Sequence, residues 1–503
     1  MTAIEKQSSF RRRARKFVEI DPRSLTAFRI AIGIVLLVDL IIRATSLEAH
    51  YTDIGVMPST LVGGNYEGTW RWSLHLWSGS LGFAYLLFMV SGIAAVCLTI
   101  GFCAPIATIA CWVLWASVQC RTPLLQNGGD DLLRMLLFWA MFLPLPSNGR
   151  FKLGTALIRY RTSSIASAAL LLQVSLMYFM AGSWKLTGDW LHGNELHRIF
   201  CDGGYARPLA YALQSYPNLT SISGTAVVVA EHLLAFLLWI PPRYWRARCA
   251  VVAALALMHV GVELTLTVGL FSFVCWTALL LFLPTGFWDA FEKRMGRRWA
   301  IRRGKSESTE AYNADIATGV QPAPFRIGGL SRAVAAGVVL FSLLYVITWN
   351  LAARRVIGYD VIPPAARRVG ELLSLQQSWR LFDYASNRDG WFIVLARQPD
   401  YRYADLLRDG VPADRETFSR PAFPYRRFPD HRWRKFYSNL VRDHYYAFRE
   451  PLCRYLAFQW KREHGAQERI EAIELQYMQE LNDPEDPDAY MQRFLYTLEL
   501  NEA

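Results

Sequence analysis

Lys185 stands alone at the end of a strongly apolar stretch, Gln173-Val-Ser-Leu-Met-Tyr-Phe-Met-Ala-Gly-Ser-Trp-Lys-Leu-Thr-Gly-Asp-Trp190, and is the residue best placed to do chemistry. A lysine acts as a base only when neutral, and desolvation beside apolar walls lowers its pKa by several units from about 10.4. The competing reading is snorkelling, in which the ammonium reaches the headgroups while its stem stays in lipid. Other ionisable residues in apolar surroundings are few: Asp39 with Arg43, Glu231 with His232, and His259 with Glu263. Asp39 and Arg43, like His259 and Glu263, are four apart on one helical face, where mutual neutralisation competes with function. Asp130 and Arg134 are spaced to pair in the same way. His192-Gly-Asn-Glu-Leu-His197 lacks the spacing that puts two metal ligands on one helix face, so no metal site is expected. No Cys-x-x-Cys occurs among the eight cysteines, which weakens a thiol redox mechanism.

The elements that must position Lys185 are membrane helices. Apolar residues make up 53% of the 503-residue chain and aromatics 14%, more than one water-facing domain can hide. Runs long enough to cross about 30 Å of hydrocarbon predict about nine spans. They are Leu25 to Thr45, Leu74 to Ile100, Ala104 to Gln119, Leu132 to Leu145, Ile165 to Ser183, Ile222 to Ile240, Cys249 to Thr265, Val268 to Pro284 and Ala333 to Trp349. The fold class is therefore mainly α, a polytopic helix bundle. Nine crossings place the Arg11 to Lys16 run, the Arg150 to Arg161 loop, Arg243 to Arg248 and Lys293 to Lys305 on one side, which the positive-inside rule makes cytoplasmic. The formal net charge of +12 then follows from topology and attraction to anionic lipid, and no nucleic-acid partner is expected. The first apolar run lacks a small-residue cleavage pattern and reads as a signal anchor.

The chain divides into a basic cytoplasmic N-terminus (1–24), a helix bundle (25–290), a cytoplasmic linker (291–328), a last span (329–351) and a small extracytoplasmic α+β domain (352–503). In that domain Ser378 to Tyr384 and Trp391 to Ala396 flank Ala385-Ser-Asn-Arg-Asp-Gly390 as a hairpin. Helical spacing from His431 onward predicts a helical finish, with a solvated turn near Asn482 to Asp488. Cys120, Cys201 and Cys453 would face the oxidising side, where one disulfide among them is expected to be possible. A transporter would show inverted repeats, and none is evident.

Three runs resemble a known family: Phe179-Met-Ala-Gly-Ser-Trp-Lys-Leu-Thr-Gly-Asp-Trp190, Met258-His-Val-Gly-Val-Glu-Leu-Thr-Leu-Thr-Val-Gly-Leu-Phe271 and Phe28-Arg-Ile-Ala-Ile-Gly33. They look like the horizontally transferred transmembrane domain shared by vitamin K-dependent gamma-carboxylases and bacterial relatives. The resemblance implies that Lys185 is the base removing a proton from a lipophilic quinol, reduced vitamin K or menaquinol. Tyr178, Phe179, Trp184 and Trp190 would wall the ring, with His259 and Asp130 as further substrate-binding candidates. The family's Asn-His pair aligns with Leu125-Gln-Asn-Gly-Gly-Asp-Asp131, which puts Asp130 where the histidine would be. An ionised acid accepts hydrogen bonds and repels an oxyanion, so glutamate carboxylation of the clotting-factor type is not expected. The resemblance leaves two readings: an epoxidase-like enzyme of a bacterial inner membrane, its partners lipid, quinol and a peptide or protein substrate, or a non-enzymatic scaffold of immunity or export type binding a peptide or lipid.

Overall fold

The computed structural model describes residues 16–145, 162–303, 329–383, 389–465, 468–480 and 489–500. The Arg11 to Arg15 part of the N-terminal basic run, the Arg150 to Arg161 loop, the 306–324 linker and the acidic turn at 482–488 lie outside these residues, as does most of the expected hairpin turn.

The first helix, α1 (Pro22–Ala44), starts where Asp21 caps it by accepting from the Arg23 N–H at 2.9 Å, with Pro22 in the first turn. It packs on α2 (Leu81–Ile100), which packs on α3 (Ala104–Arg121). A buried helix, α4 (Gly128–Ala140), follows; Asn127 and Asp130 close its start as a reciprocal capping box. Ser164 and Ser167 do the same for α5 (Ile165–Trp184). Then come α6 (Asn194–Cys201), α7 (Pro217–Leu237), α8 (Trp245–Thr265), α9 (Phe271–Leu279), α10 (Thr285–Arg303) and α11 (Gly329–Ala353). Helices α4, α7 and α11 all pack against α5, so the lysine-bearing helix lies inside the bundle.

Among the described residues six helices are long and apolar enough to cross a membrane, rising to seven if the pair 271–282 and 285–296, bent by 97°, is one span. That number is lower than the nine expected. Helix α3 ends in Gln119 and Arg121, both buried, and α4 has only 13 residues and is covered on almost every side. Helix α4 is apolar because protein surrounds it, which a hydropathy window cannot distinguish from lipid. Several apolar helices together mark a multi-pass membrane protein.

The C-terminal region carries an antiparallel sheet in the order β3-β2-β1-β4-β5: β1 (Gly390–Arg397), β2 (Tyr403–Asp405), β3 (Val411–Pro412), β4 (Ala472–Glu480) and β5 (Tyr490–Glu499). In the central pair Val394 faces Leu475 and Phe392 faces Tyr477. Helices α12 (His431–Leu440) and α13 (Arg449–His464) complete it. Two expectations fail here. Residues 378–383 form no strand, and β1 pairs instead with β2 and β4. The region ends in the β4–β5 ladder rather than in helices, because β4 supplies Ile473, Leu475 and Tyr477 to the core. That core is shared: Val56, Met57, Leu124 and Leu125 from the bundle loops pack with Phe392, Phe436 and Leu452. No disulfide forms, since Cys120, Cys201 and Cys453 are all free thiols and Cys453 is buried within this core.

Candidate functional site

Helix α5 is apolar for five turns and stops at Lys185, whose side chain turns back into the protein. The residue is 2% exposed, so it does not snorkel. Its Nζ donates to both carboxylate oxygens of Glu231 on α7, at 3.0 and 2.8 Å, and to the Ala181 carbonyl at 3.4 Å. The indole of Trp190 covers the same ammonium at 5.5 Å from the ring centroid. Gly182 permits the pairing: a Cβ there would lie 2.6 Å from the His232 ring and 3.1 Å from the Glu231 Cβ. Close approach of α5 and α7 at this glycine brings the carboxylate within reach of the amine.

Tyr178 precedes Lys185 by seven residues, about two helical turns, and so shares its face of α5. Its hydroxyl lies 2.8 Å from Nε2 of His259 on α8. The other ring nitrogen of His259, Nδ1, is buried with no partner among the described residues. Phe271 meets the His259 ring edge-on at 5.5 Å.

The structure therefore brings Lys185, Trp190, Tyr178 and His259 around the end of α5. Trp184 faces elsewhere, with the guanidiniums of Arg354 and Arg380 at 4.8 and 4.5 Å from its ring. Asp130 belongs to a second cluster. It accepts from Arg43 at 3.1 Å and from Arg432 of α12 at 3.0 and 3.2 Å. Asp39 bonds the same two arginines, and Arg43 also donates to the Tyr51 hydroxyl at 2.9 Å. Burial pushes the Asp130 carboxyl up, but Arg432 and Arg43 outweigh it and hold it at about 2.

Of the pairings expected from spacing, only Asp39 with Arg43 forms. Glu263 takes Arg207 at 2.8 Å instead of His259, Arg134 takes Asp131 at 2.9 Å instead of Asp130, and His232 bonds the Val228 carbonyl at 2.9 Å while Glu231 serves Lys185. Two buried partners escaped sequence reasoning. A lone buried carboxylate on one apolar helix and a lone lysine on another was the available signal for Glu231. For Arg432, 302 positions from Asp130, no local signal existed.

A family model, the HTTM domain, matches residues 17–287, more than half of the chain. No curated protein and no solved structure matches it.

Proposed function

The chain belongs to the HTTM-domain family, the domain found in vitamin K-dependent carboxylase, and from that premise we propose that it is a membrane-embedded enzyme in which Lys185 takes a proton from a lipophilic quinol. The buried Lys185–Glu231 pair carries this reading. An ammonium–carboxylate pair and an amine–carboxylic acid pair differ only in where one proton sits, and a low-dielectric site narrows the gap between them. With the proton on Glu231, Lys185 presents a free electron pair. The amine then accepts the proton of an acidic hydroxyl placed beside it.

The residues fit a reduced vitamin K or menaquinol. Trp190 offers an aromatic face against the amine, and the Tyr178–His259 dyad leaves a buried nitrogen unfilled. Such a quinol supplies the acidic hydroxyl and the reducing equivalents for reaction with oxygen. Asp130, locked between two guanidiniums, is not free to act as the neutral donor that an imidazole would be, which supports epoxidase-like chemistry without glutamate carboxylation. We place the bundle in a bacterial inner membrane, with the N-terminus cytoplasmic and the C-terminal region outside.

The test incubates the protein in nanodiscs with reduced vitamin K or menaquinol and oxygen, and follows epoxide formation. Activity lost in both Lys185→Ala and Glu231→Gln supports the reading; activity that survives Lys185→Ala defeats it. The second reading, a scaffold binding a peptide or lipid, draws on the Asp39–Arg43–Asp130–Arg432 cluster, which pins the C-terminal region to the bundle through two guanidiniums that keep their protons. Neither product nor quinol binding in the wild-type protein selects it.

A further inference from the structure

Between the N-terminal ends of α4 and α9 and the C-terminal sheet lies a cavity of about 750 Å³. Gly128 and Phe271 form its bundle side, and Phe428 and Tyr477 its far side. The turn before α9 fits closely around it. Gly269 has φ +65°, and a Cβ there would lie 2.5 Å from the His431 ring, so glycine is required on both counts.

Four cationic side chains line this cavity without a carboxylate within 4.0 Å among the described residues: Arg427, Arg434, Lys435 and Arg442. Arg434 is the most telling of them. It is 6% exposed; its guanidinium lies 3.9 Å over the Tyr205 ring, Nη2 donates to the Thr267 carbonyl at 3.4 Å, and Nε has no acceptor. A guanidinium cannot shed its proton, so a full charge is buried against Tyr205 and the Thr267 carbonyl, with no carboxylate within 4.0 Å among the described residues. Arg432, two residues earlier, shows what this helix does when a counter-ion is intended: it meets two aspartates.

The acids on the wall do not balance these charges. Asp383 is taken by Arg380 at 2.7 Å, and Asp389 lies 3.7 Å from Arg420 while accepting from the Gly203 and Gly390 N–H groups. Asp202 accepts from the Gly204 N–H at 2.8 Å and feels the charge of Arg434, but burial and the charge of Asp389 outweigh that pull and push it up to about 7, so it offsets Arg434 only in part near neutrality. An excess of that size suits a doubly charged anion better than a single carboxylate, and the planar fork of arginine matches phosphate oxygens in pairs. The aromatic walls suit an apolar body attached to it.

We propose that this cavity binds a phosphate monoester, with Arg434, Arg427 and Lys435 on the phosphate and Phe271 and Phe428 against its apolar body. The ester comes either from solution or from a lipid with a terminal phosphate. None of these residues takes part in proton transfer at Lys185, so the assignment stands or falls independently of the quinol reading.

The full-length protein in phosphatidylcholine nanodiscs, titrated with phenyl phosphate and followed by tryptophan fluorescence, tests it. Saturable binding is expected, tighter than for inorganic phosphate, weakened at least tenfold in Arg434→Gln and severalfold in Lys435→Gln, and unchanged in Arg454→Gln on the exposed surface. Competition by phosphatidic acid in the nanodisc would assign the ester to the membrane, and its absence to solution. No saturable binding to the wild-type protein overturns the proposal. So does equal affinity in Arg434→Gln. If that variant fails to fold, Lys435→Gln at its half-buried position takes its place, and unchanged affinity there overturns the proposal as well.

Discussion

The two buried charge clusters of the bundle are built on opposite plans. Around Asp130, two aspartates face two arginines, and the second arginine comes from α12 in the C-terminal region. Around Lys185, one amine faces one carboxylate, both within the bundle. Guanidinium keeps its proton at any accessible pH, so the arginines of the first cluster hold elements together rather than exchange protons. An amine beside a carboxylate has two proton positions. The difference teaches where to look for chemistry: arginine-rich burial reads as a clamp, lysine–glutamate burial as a proton site.

Breaking each cluster separates these roles. Arg432→Ala leaves Asp39 and Asp130 buried with one partner between them and should cost about 5 kcal/mol, the upper end for a broken buried pair. Thermal unfolding in detergent reads the loss, and limited proteolysis should show the C-terminal region released. Lys185→Met leaves a single carboxylate unpaired and should cost about 3 kcal/mol. The double variant Lys185→Met/Glu231→Leu should recover most of that stability while remaining without quinol turnover; a double variant that turns over would remove the pair from the mechanism. Gly182→Ala sharpens the contrast further. Its Cβ would crowd the His232 ring and the Glu231 Cβ, costing about 1–3 kcal/mol by overpacking, with activity falling more steeply than stability because the α5–α7 approach sets the Lys185–Glu231 distance.

How much of this was legible in the sequence follows from the range of each interaction. Lys185 and its apolar helix could be read because the signal is local, and so could Asp39 with Arg43, four apart on one face. The same spacing misled for His259 and Glu263, where Tyr178 and Arg207 from other elements won. Arg432 reaches Asp39 across 393 positions, and nothing short-range encodes that. The lower number of span-length helices arises partly at α3, which ends in buried Gln119 and Arg121, and at α4, which is short and apolar because it is enclosed by protein. At the other end, helical spacing through α13 drew attention from the Ala472–Glu480 run, whose Ile473, Leu475 and Tyr477 alternate as a strand should.

Among the titratable neighbours of the clamp, His50 reports on it. His50 lies 1% exposed against Trp433, with ring centroids 4.5 Å apart, and its Nε2 has no partner. Burial first, and then the charges of Arg432, Arg43 and Arg121, lower it to about 3 from an ordinary 6.5. The folded state therefore binds fewer protons than the unfolded one between those values, and stability must fall as pH drops from about 6.5 towards about 3. The slope contributed by His50 is about 1.4 kcal/mol per pH unit over that window. His50→Gln should remove it, flattening the acid limb of an unfolding curve by one proton. Arg432→Gln should raise the His50 pKa, seen by NMR titration of the ring, whereas Glu231→Gln should leave it in place. If Glu231→Gln moved His50 as far as Arg432→Gln does, the clamp and the proton site would be one electrostatic unit, and the division of labour drawn between them would be wrong.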